Sequence, residues 1–195
     1  MSSELILRNI SKHIELDEHE VEVFLSLVKR KSIPKKTILL NAGESCKYLN
    51  YVDSGALRSY CIDKDGKEAT VMFAVADWWV TDMYCYLNSK PAMMYIEALE
   101  DSCIYQLSRE NLEKLFRTIP KFERFFRILM QNAYTREQLR VIENLTLPAE
   151  DRYDNFMKKY PQAAETVTQK QIASYLGITP EHLSAIRKNK NKTAS

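Results

Sequence analysis

Glu181, His182, Ser184, Arg187 and Lys188 fall close together in VTQKQIASYLGITPEHLSAIRKNK, residues 167–190. These types suit recognition by hydrogen bonding. A carboxylate accepts from a cytosine amino group, an imidazole or hydroxyl can donate or accept at a base edge, and cations meet phosphates. Elsewhere the residues that do chemistry are scattered. His13, His19 and His182 sit in segments not expected to converge, and Cys46, Cys61, Cys85 and Cys103 form no Cys-x-x-Cys pair. Neither a metal site nor an iron–sulfur or haem cofactor is expected, and the thiols read as reduced ones in a cytoplasm. Cys85 and Cys103 are candidates for redox sensing, although buried structural thiols fit them as well.

The local grammar around these residues spells two short helices. Thr168 and Gln171 match a capping box, so a helix should start at Gln169. Gly177 supplies a left-handed stop, Thr179 a second cap, and Pro180 a first helical position that needs no N–H. Leu183 and Ile186 should face the first helix, whose Ala173 permits close approach, leaving Glu181, His182, Ser184, Ala185 and Lys188 outward. Arg187, Lys188, Lys190 and Lys192 gather charge at the end. The combination matches a helix-turn-helix, although an αα-hairpin that only packs would show the same caps and spacing.

Charge supports a polyanion partner for this end. Residues 1–120 carry 15 Lys and Arg against 18 Asp and Glu, a net of −3, whereas residues 121–195 carry 13 against 8, a net of +5. With 45% hydrophobic and 28% charged residues in 195, a packed core is expected. No apolar stretch is long enough for a leader or a membrane span.

The elements that must position the reader are also visible. Glu4 to about Arg30 reads as a helical preface, with Val21, Phe24, Leu25 and Val28 on one stripe. From Ser32 to Leu107 come short β-rich runs, TILLNAG, YLNYVDSG, LRSYCID, KEATVMFAV, MYIEALE and CIYQL. Asp65-Gly66 signals a two-residue hairpin, and Gly43 and Gly55 close further turns. An antiparallel sandwich or jelly-roll follows. Ser108 should cap a helix over RENLEKLF. A long helix from Lys121 to about Leu145 carries two adjacent stripes: Phe122, Phe126, Leu129 and Ala133, then Met130, Tyr134, Val141 and Leu145. So wide a face can serve the chain's own core and a partner, or only the core. Pro148 precedes one more helix.

As an ordered whole the chain resembles the cyclic-AMP receptor protein and FNR family of bacterial transcription regulators. PAEDRYDNFMKKYPQAAETVTQKQIASYLGITPEHLS is especially similar to short members from Bacteroidetes-type bacteria. The resemblance implies an α+β fold: a cyclic-nucleotide-binding-type β-roll with flanking helices over 1–120, a dimerisation helix over 121–146, and a helix-turn-helix domain over 147–195 lacking most of the wing. It implies a cytoplasmic homodimer, with no enzymatic activity and no membrane, on a pseudo-palindromic operator in double-stranded DNA. RNA polymerase and an unknown small-molecule effector are the further partners implied. Candidate DNA contacts are Thr168, Gln169, Thr179, Pro180, Glu181, His182, Ser184, Arg187 and Lys188. Candidate dimer contacts are Phe122, Phe126, Leu129, Met130, Ala133, Tyr134 and Val141.

This chain departs from the family at two places. The family's Arg-Glu-x-x-x-Arg reader falls on Pro180, Glu181 and Ala185, so only the Glu is kept and a different operator is implied. The cassette that holds a cyclic phosphate has a Gly-Glu pair and an Arg. Here Asp77 to Asp82 lack the pair, Pro91 to Met94 offer no arginine, and Lys90 is expected in solvent. Cyclic AMP should therefore not bind. Trp78, Trp79, Thr81, Asp82, Tyr84, Met93 and Met94 are left as candidates for an effector pocket, or as ordinary core. The alternative is a β-roll sensor acting through protein contacts, with weak or no DNA binding.

Overall fold

A computed structural model describes residues 3–161 and 166–193, with the backbone alone over 191–193. The N-terminal segment forms two helices where the sequence reading expects one, α1 (Glu4–Ser11) and α2 (Glu18–Leu27). The reason is local: Asp17 accepts from the Glu20 N–H while the Glu20 side chain reaches back, a capping box that starts a new helix. Val28 then turns extended and opens β1 (Val28–Ile33), so the strands begin earlier than expected.

Seven more strands follow: β2 (Ile38–Leu40), β3 (Tyr48–Ser54), β4 (Ala56–Ile62), β5 (Glu68–Val75), β6 (Trp78–Val80), β7 (Tyr95–Ala98) and β8 (Ser102–Ser108), with α3 (Met83–Asn88) between β6 and β7. They pair antiparallel in two sheets ordered β1-β8-β3-β6 and β2-β7-β4-β5. Val52, Leu57, Ala74, Val80, Ile96 and Ile104 fill the space between the sheets. The outer face of the first sheet carries Leu49, Tyr51, Tyr105 and Leu107 under the helices. With both faces covered, β3 is buried at four successive residues, which is why YLNYV shows no polar alternation.

The Asp65-Gly66 hairpin exists, but its loop differs from the two-residue turn expected. Only Gly66 has a positive φ, 76°, and its N–H donates to the Asp63 carbonyl at 3.0 Å. Lys64, Asp65 and Gly66 thus form a three-residue loop, a type I turn closed by a glycine bulge.

Ser108 caps α4 (Arg109–Thr118) through the Asn111 N–H, and α5 (Lys121–Thr146) runs 26 residues without a break. Then come α6 (Ala149–Lys159), α7 (Gln169–Leu176) and α8 (Pro180–Thr193). Among the described residues no strand follows α8, and no helix is long and apolar enough to cross a membrane.

One expectation about the cysteines fails. Cys46 and Cys85 are joined as a disulfide, their Cα atoms 5.7 Å apart across 39 residues of sequence. The Ser45–Pro91 bridge folds the β2–β3 connection against α3, a proximity that spacing along the chain does not encode. Cys61 and Cys103 remain free.

Candidate nucleic-acid interface and effector cavity

The reader is assembled by its caps. The Thr168 hydroxyl accepts from the Gln171 N–H at 3.3 Å, and the Gln171 side chain accepts from the Thr168 N–H at 2.9 Å. At the other end Gly177 takes φ 67°, and bonds from Gly177 N–H to Ser174 O and from Ile178 N–H to Ala173 O close a Schellman turn. The Thr179 hydroxyl accepts from the His182 N–H at 3.2 Å and starts α8. Ala173 and Leu183, both fully buried, let α7 and α8 touch, and Ile186 is buried beside them.

This packing leaves Glu181, His182, Ser184, Ala185, Arg187 and Lys188 exposed on α8. Thr168 and Gln169 lie exposed at the start of α7, where the Ser184 hydroxyl donates to Gln169 Oε1 at 3.4 Å. Ser184 also donates to the Pro180 carbonyl at 2.9 Å. Pro180 is half-buried and Thr179 exposed. The nine candidate contacts thus occupy the two helix starts and the outer side of α8. The Glu181 carboxyl is held below its usual range by its own backbone N–H first and the Thr179 hydroxyl second, so it remains an acceptor. Lys190 is not among the free cations: it pairs with Asp154 of α6 at 2.6 Å. The Lys192 side chain lies outside the described residues.

The reader is docked on the roll. In the second sheet β5 is an edge strand, and Ser174 of α7 covers that edge, donating to Glu68 O at 2.7 Å and accepting from the Thr70 N–H at 2.8 Å. Phe73 of β5 is fully buried among Phe156, Tyr160 and Tyr175, at centroid distances of 5.9, 6.1 and 5.5 Å. From α5, Arg140 lies over the Tyr175 ring and donates to the Thr70 and Val71 carbonyls. Arg136 lies 4.6 Å from the centre of the Trp78 ring.

A cavity of about 400 Å³ opens between the roll, α1 and α5. Trp78, Trp79, Thr81 and Met94 of the expected effector pocket line it. So do Leu129, Met130 and Ala133, which the sequence reading assigns to the dimer seam. Asn9 and Asp77, which that reading leaves out of the pocket, form a polar corner: Asn9 Nδ2 donates to Asp77 Oδ1 at 2.7 Å and the Trp79 indole donates to Asn9 Oδ1 at 3.1 Å. Desolvation pushes the Asp77 carboxyl up, but hydrogen bonds from Lys12, Tyr51 and Asn9 outweigh it and keep the group below its usual range.

The remaining pocket candidates lie elsewhere. Tyr84 and Met93 are exposed at 52% and 62%. Asp82 is buried and accepts from the Cys85, Met93 and Met94 N–H groups at 3.1, 2.7 and 3.1 Å, which makes it an organiser of the loop after α3. Lys90 is exposed.

The long helix sorts its two stripes. Phe122 and Phe126 are 0% and 7% exposed, packed with Phe24, Phe116 and Trp79 inside the chain's own core, so no partner can reach them. Leu129 and Ala133 continue that inward stripe. Outward, Tyr134, Val141 and Leu145 stand 69%, 56% and 80% exposed, with Leu139 and Ile142 nearby.

The chain thus joins a β-roll, with a cavity against a long helix, to a docked helix-turn-helix. The cyclic nucleotide-binding domain model matches residues 30–119. The chain is 26% identical to the regulatory protein HlyX of Actinobacillus pleuropneumoniae, over 88% of this chain and 75% of that protein. It is 27% identical to the fumarate and nitrate reduction regulatory protein of Escherichia coli K12, over 88% and 72%. Among solved structures, FixK2 of Bradyrhizobium japonicum superposes with a TM-score of 0.74 at 19% identity, covering 86% of each chain. The c-di-GMP responsive regulator CLP of Xanthomonas campestris gives 0.72 at 19% identity, covering 91% and 93%. These likenesses support the cyclic-AMP receptor and FNR family, and the matched relatives are regulatory proteins.

Proposed function

We propose that the protein is a homodimeric, cytoplasmic transcription regulator that reads a pseudo-palindromic site in double-stranded DNA, acts on RNA polymerase and answers to a small molecule other than cyclic AMP. The observation that carries this reading is the outer side of α8. Leu183 and Ile186 anchor the helix, while Glu181, His182, Ser184, Arg187 and Lys188 are exposed together. A helix spending its apolar residues on its own scaffold and presenting acceptors and cations outward suits a major groove. The net +5 of residues 121–195 supports an anionic partner. The proposal includes the division into a sensor over 1–120, a dimer helix over 121–146 and a reader over 147–195.

The cytoplasm follows from the DNA target, although the Cys46–Cys85 bond points the other way, cytosolic disulfides being rare. Two copies would meet along Tyr134, Val141 and Leu145, spaced seven and four residues apart, the rhythm of a coiled-coil seam. The cavity between roll and α5 is the place for an effector, since an occupant would touch the sensor and the dimer helix together.

Exclusion of cyclic AMP rests on the missing Gly-Glu pair and arginine, and Asp82 supports it. The buried Asp82 side chain already takes up the Met93 and Met94 N–H groups, leaving them unavailable to a phosphate. Calorimetric titration with cyclic AMP should therefore give no saturable heat; a sub-micromolar site would overturn this part of the reading.

For DNA, footprinting the upstream region of the protein's own gene should protect two half-sites about 34 Å apart. Glu181→Gln should cost about 1–3 kcal/mol on the preferred site and alter its base preference. Arg187→Ala should weaken all sequences alike and lower the salt slope by about one. Equal losses on every sequence for both variants would show that α8 does not read bases, and protection without sequence preference would favour a sensor working through protein contacts.

A further inference from the structure

A second cavity, of about 600 Å³, lies between α5, α6 and α7, on the reader side of the long helix. Arg136, Arg140, Arg152, Lys158 and Lys159 line it, and among the described residues Glu143 is the one carboxylate in the lining. Several of these charges are already held. Arg140 reaches Glu137 at 3.4 Å and the β5 carbonyls, Arg152 donates to Asn144 Oδ1 at 2.9 Å, and Glu143 accepts from Asn155 at 3.1 Å. Yet the Nε atoms of Arg136, Arg140 and Arg152 are all buried without a hydrogen-bond partner. For Arg136 the Glu137 carboxylate stands 3.9 Å off, outside hydrogen-bond reach. Five cations therefore line one space with little negative charge beside them, an excess that an anion would offset.

We propose that this cavity binds a phosphorylated small molecule carrying two or more negative charges. Guanidinium groups suit phosphate oxygens, and arginines on two helices with lysines beside them match a tetrahedral, multiply charged group better than a planar carboxylate taken by one fork. Phe156, Tyr175, Leu139 and Leu176 supply an apolar wall for the rest of the ligand, and the volume suits a nucleotide-sized molecule. Burial first and the Arg136 charge second hold the Lys159 ammonium below its usual range, against the opposing pull of Glu137 and Glu143.

The site is distinct from both proposed macromolecular surfaces. At about 100° per residue, Arg136, Arg140 and Glu143 lie roughly opposite Tyr134, Val141 and Leu145 on α5, so a dimer along that stripe leaves the cavity open. On α6, Arg152 and Lys159 face away from Asp154, the residue that pairs with α8, while Lys158 lies on the Asp154 side, so most of the α6 cations in the cavity point away from α8.

The test uses the full chain, with inorganic pyrophosphate, ATP, adenosine and citrate at matched ionic strength, followed by thermal denaturation and calorimetry. Pyrophosphate and ATP should raise the Tm and bind saturably, while adenosine should not. Lys159→Gln and Arg152→Gln should each weaken binding about tenfold, and Lys31→Gln, on an exposed strand, should not. Lys159→Gln keeps most of the side-chain stem and removes the charge, so this variant is expected to fold, with circular dichroism as the check. Pyrophosphate acting no differently from potassium chloride, affinity unchanged in both variants, or citrate binding as tightly would each overturn the proposal. So would competitive displacement of pyrophosphate by a short DNA duplex, because the cations would then belong to the DNA surface.

Discussion

Val141→Glu is expected to leave the protein monomeric and to abolish two-site DNA binding. Val141 is 56% exposed in the single chain and lies between Tyr134 and Leu145, exposed at 69% and 80%, in a stripe with no partner among the described residues. A two-fold pairing brings each residue near its twin, so one substitution acts twice. Dimerisation can bury the 56% of Val141 still exposed, so losing it costs about 0.8–1.7 kcal/mol per copy, or about 2–3 kcal/mol per dimer, before the cost of desolvating two facing carboxylates. That first part alone corresponds to roughly 10- to 300-fold in the dimer constant. Light scattering and sedimentation would show it. A variant that stays dimeric would place the seam elsewhere. Changes at Leu129 or Met130 test something different, because those residues line the cavity with the roll.

Phe73→Ala should have the second large effect. Phe73 is the roll's aromatic contribution to the core of the reader, fully buried against Phe156, Tyr160 and Tyr175. A buried Phe cut to Ala costs about 3–5 kcal/mol, a sizeable share of the about 5–15 kcal/mol that holds a typical fold. The Ser174 bridge, the Trp78–Tyr160 ring contact and the Arg140 contacts from α5 remain, and none of them replaces the buried area of Phe73. Calorimetry should therefore replace one unfolding transition with two, the reader melting first. A single, unshifted transition would mean that the aromatic cluster does not couple them.

The reader was legible because its determinants are local. A capping box, a left-handed glycine and a proline at the first helical turn act within a few residues, so Thr168, Gly177, Thr179 and Pro180 could be placed from the sequence. The break between α1 and α2 carried an equally local signal, Asp17 with Glu20, and could have been found the same way. What escaped depends on distant contacts. Both stripes of α5 are apolar, and only the fold decides that Phe122 and Phe126 turn inward while Tyr134 and Val141 stay outside. The role of Phe73 depends on which side of β5 the reader docks. Nothing in the sequence around Arg136 and Arg140 announces the rings of Trp78 and Tyr175 beneath them. Cys46 and Cys85 meet across 39 residues that carry no spacing signal.

The most direct test of the central claim is the salt dependence of binding, by fluorescence anisotropy, to a duplex selected by the protein and to a scrambled duplex of equal length. The selected duplex should bind at least about 10³-fold more tightly near physiological salt, with both affinities falling as salt rises. Equal affinity for the two duplexes, or affinity indifferent to salt, would contradict it.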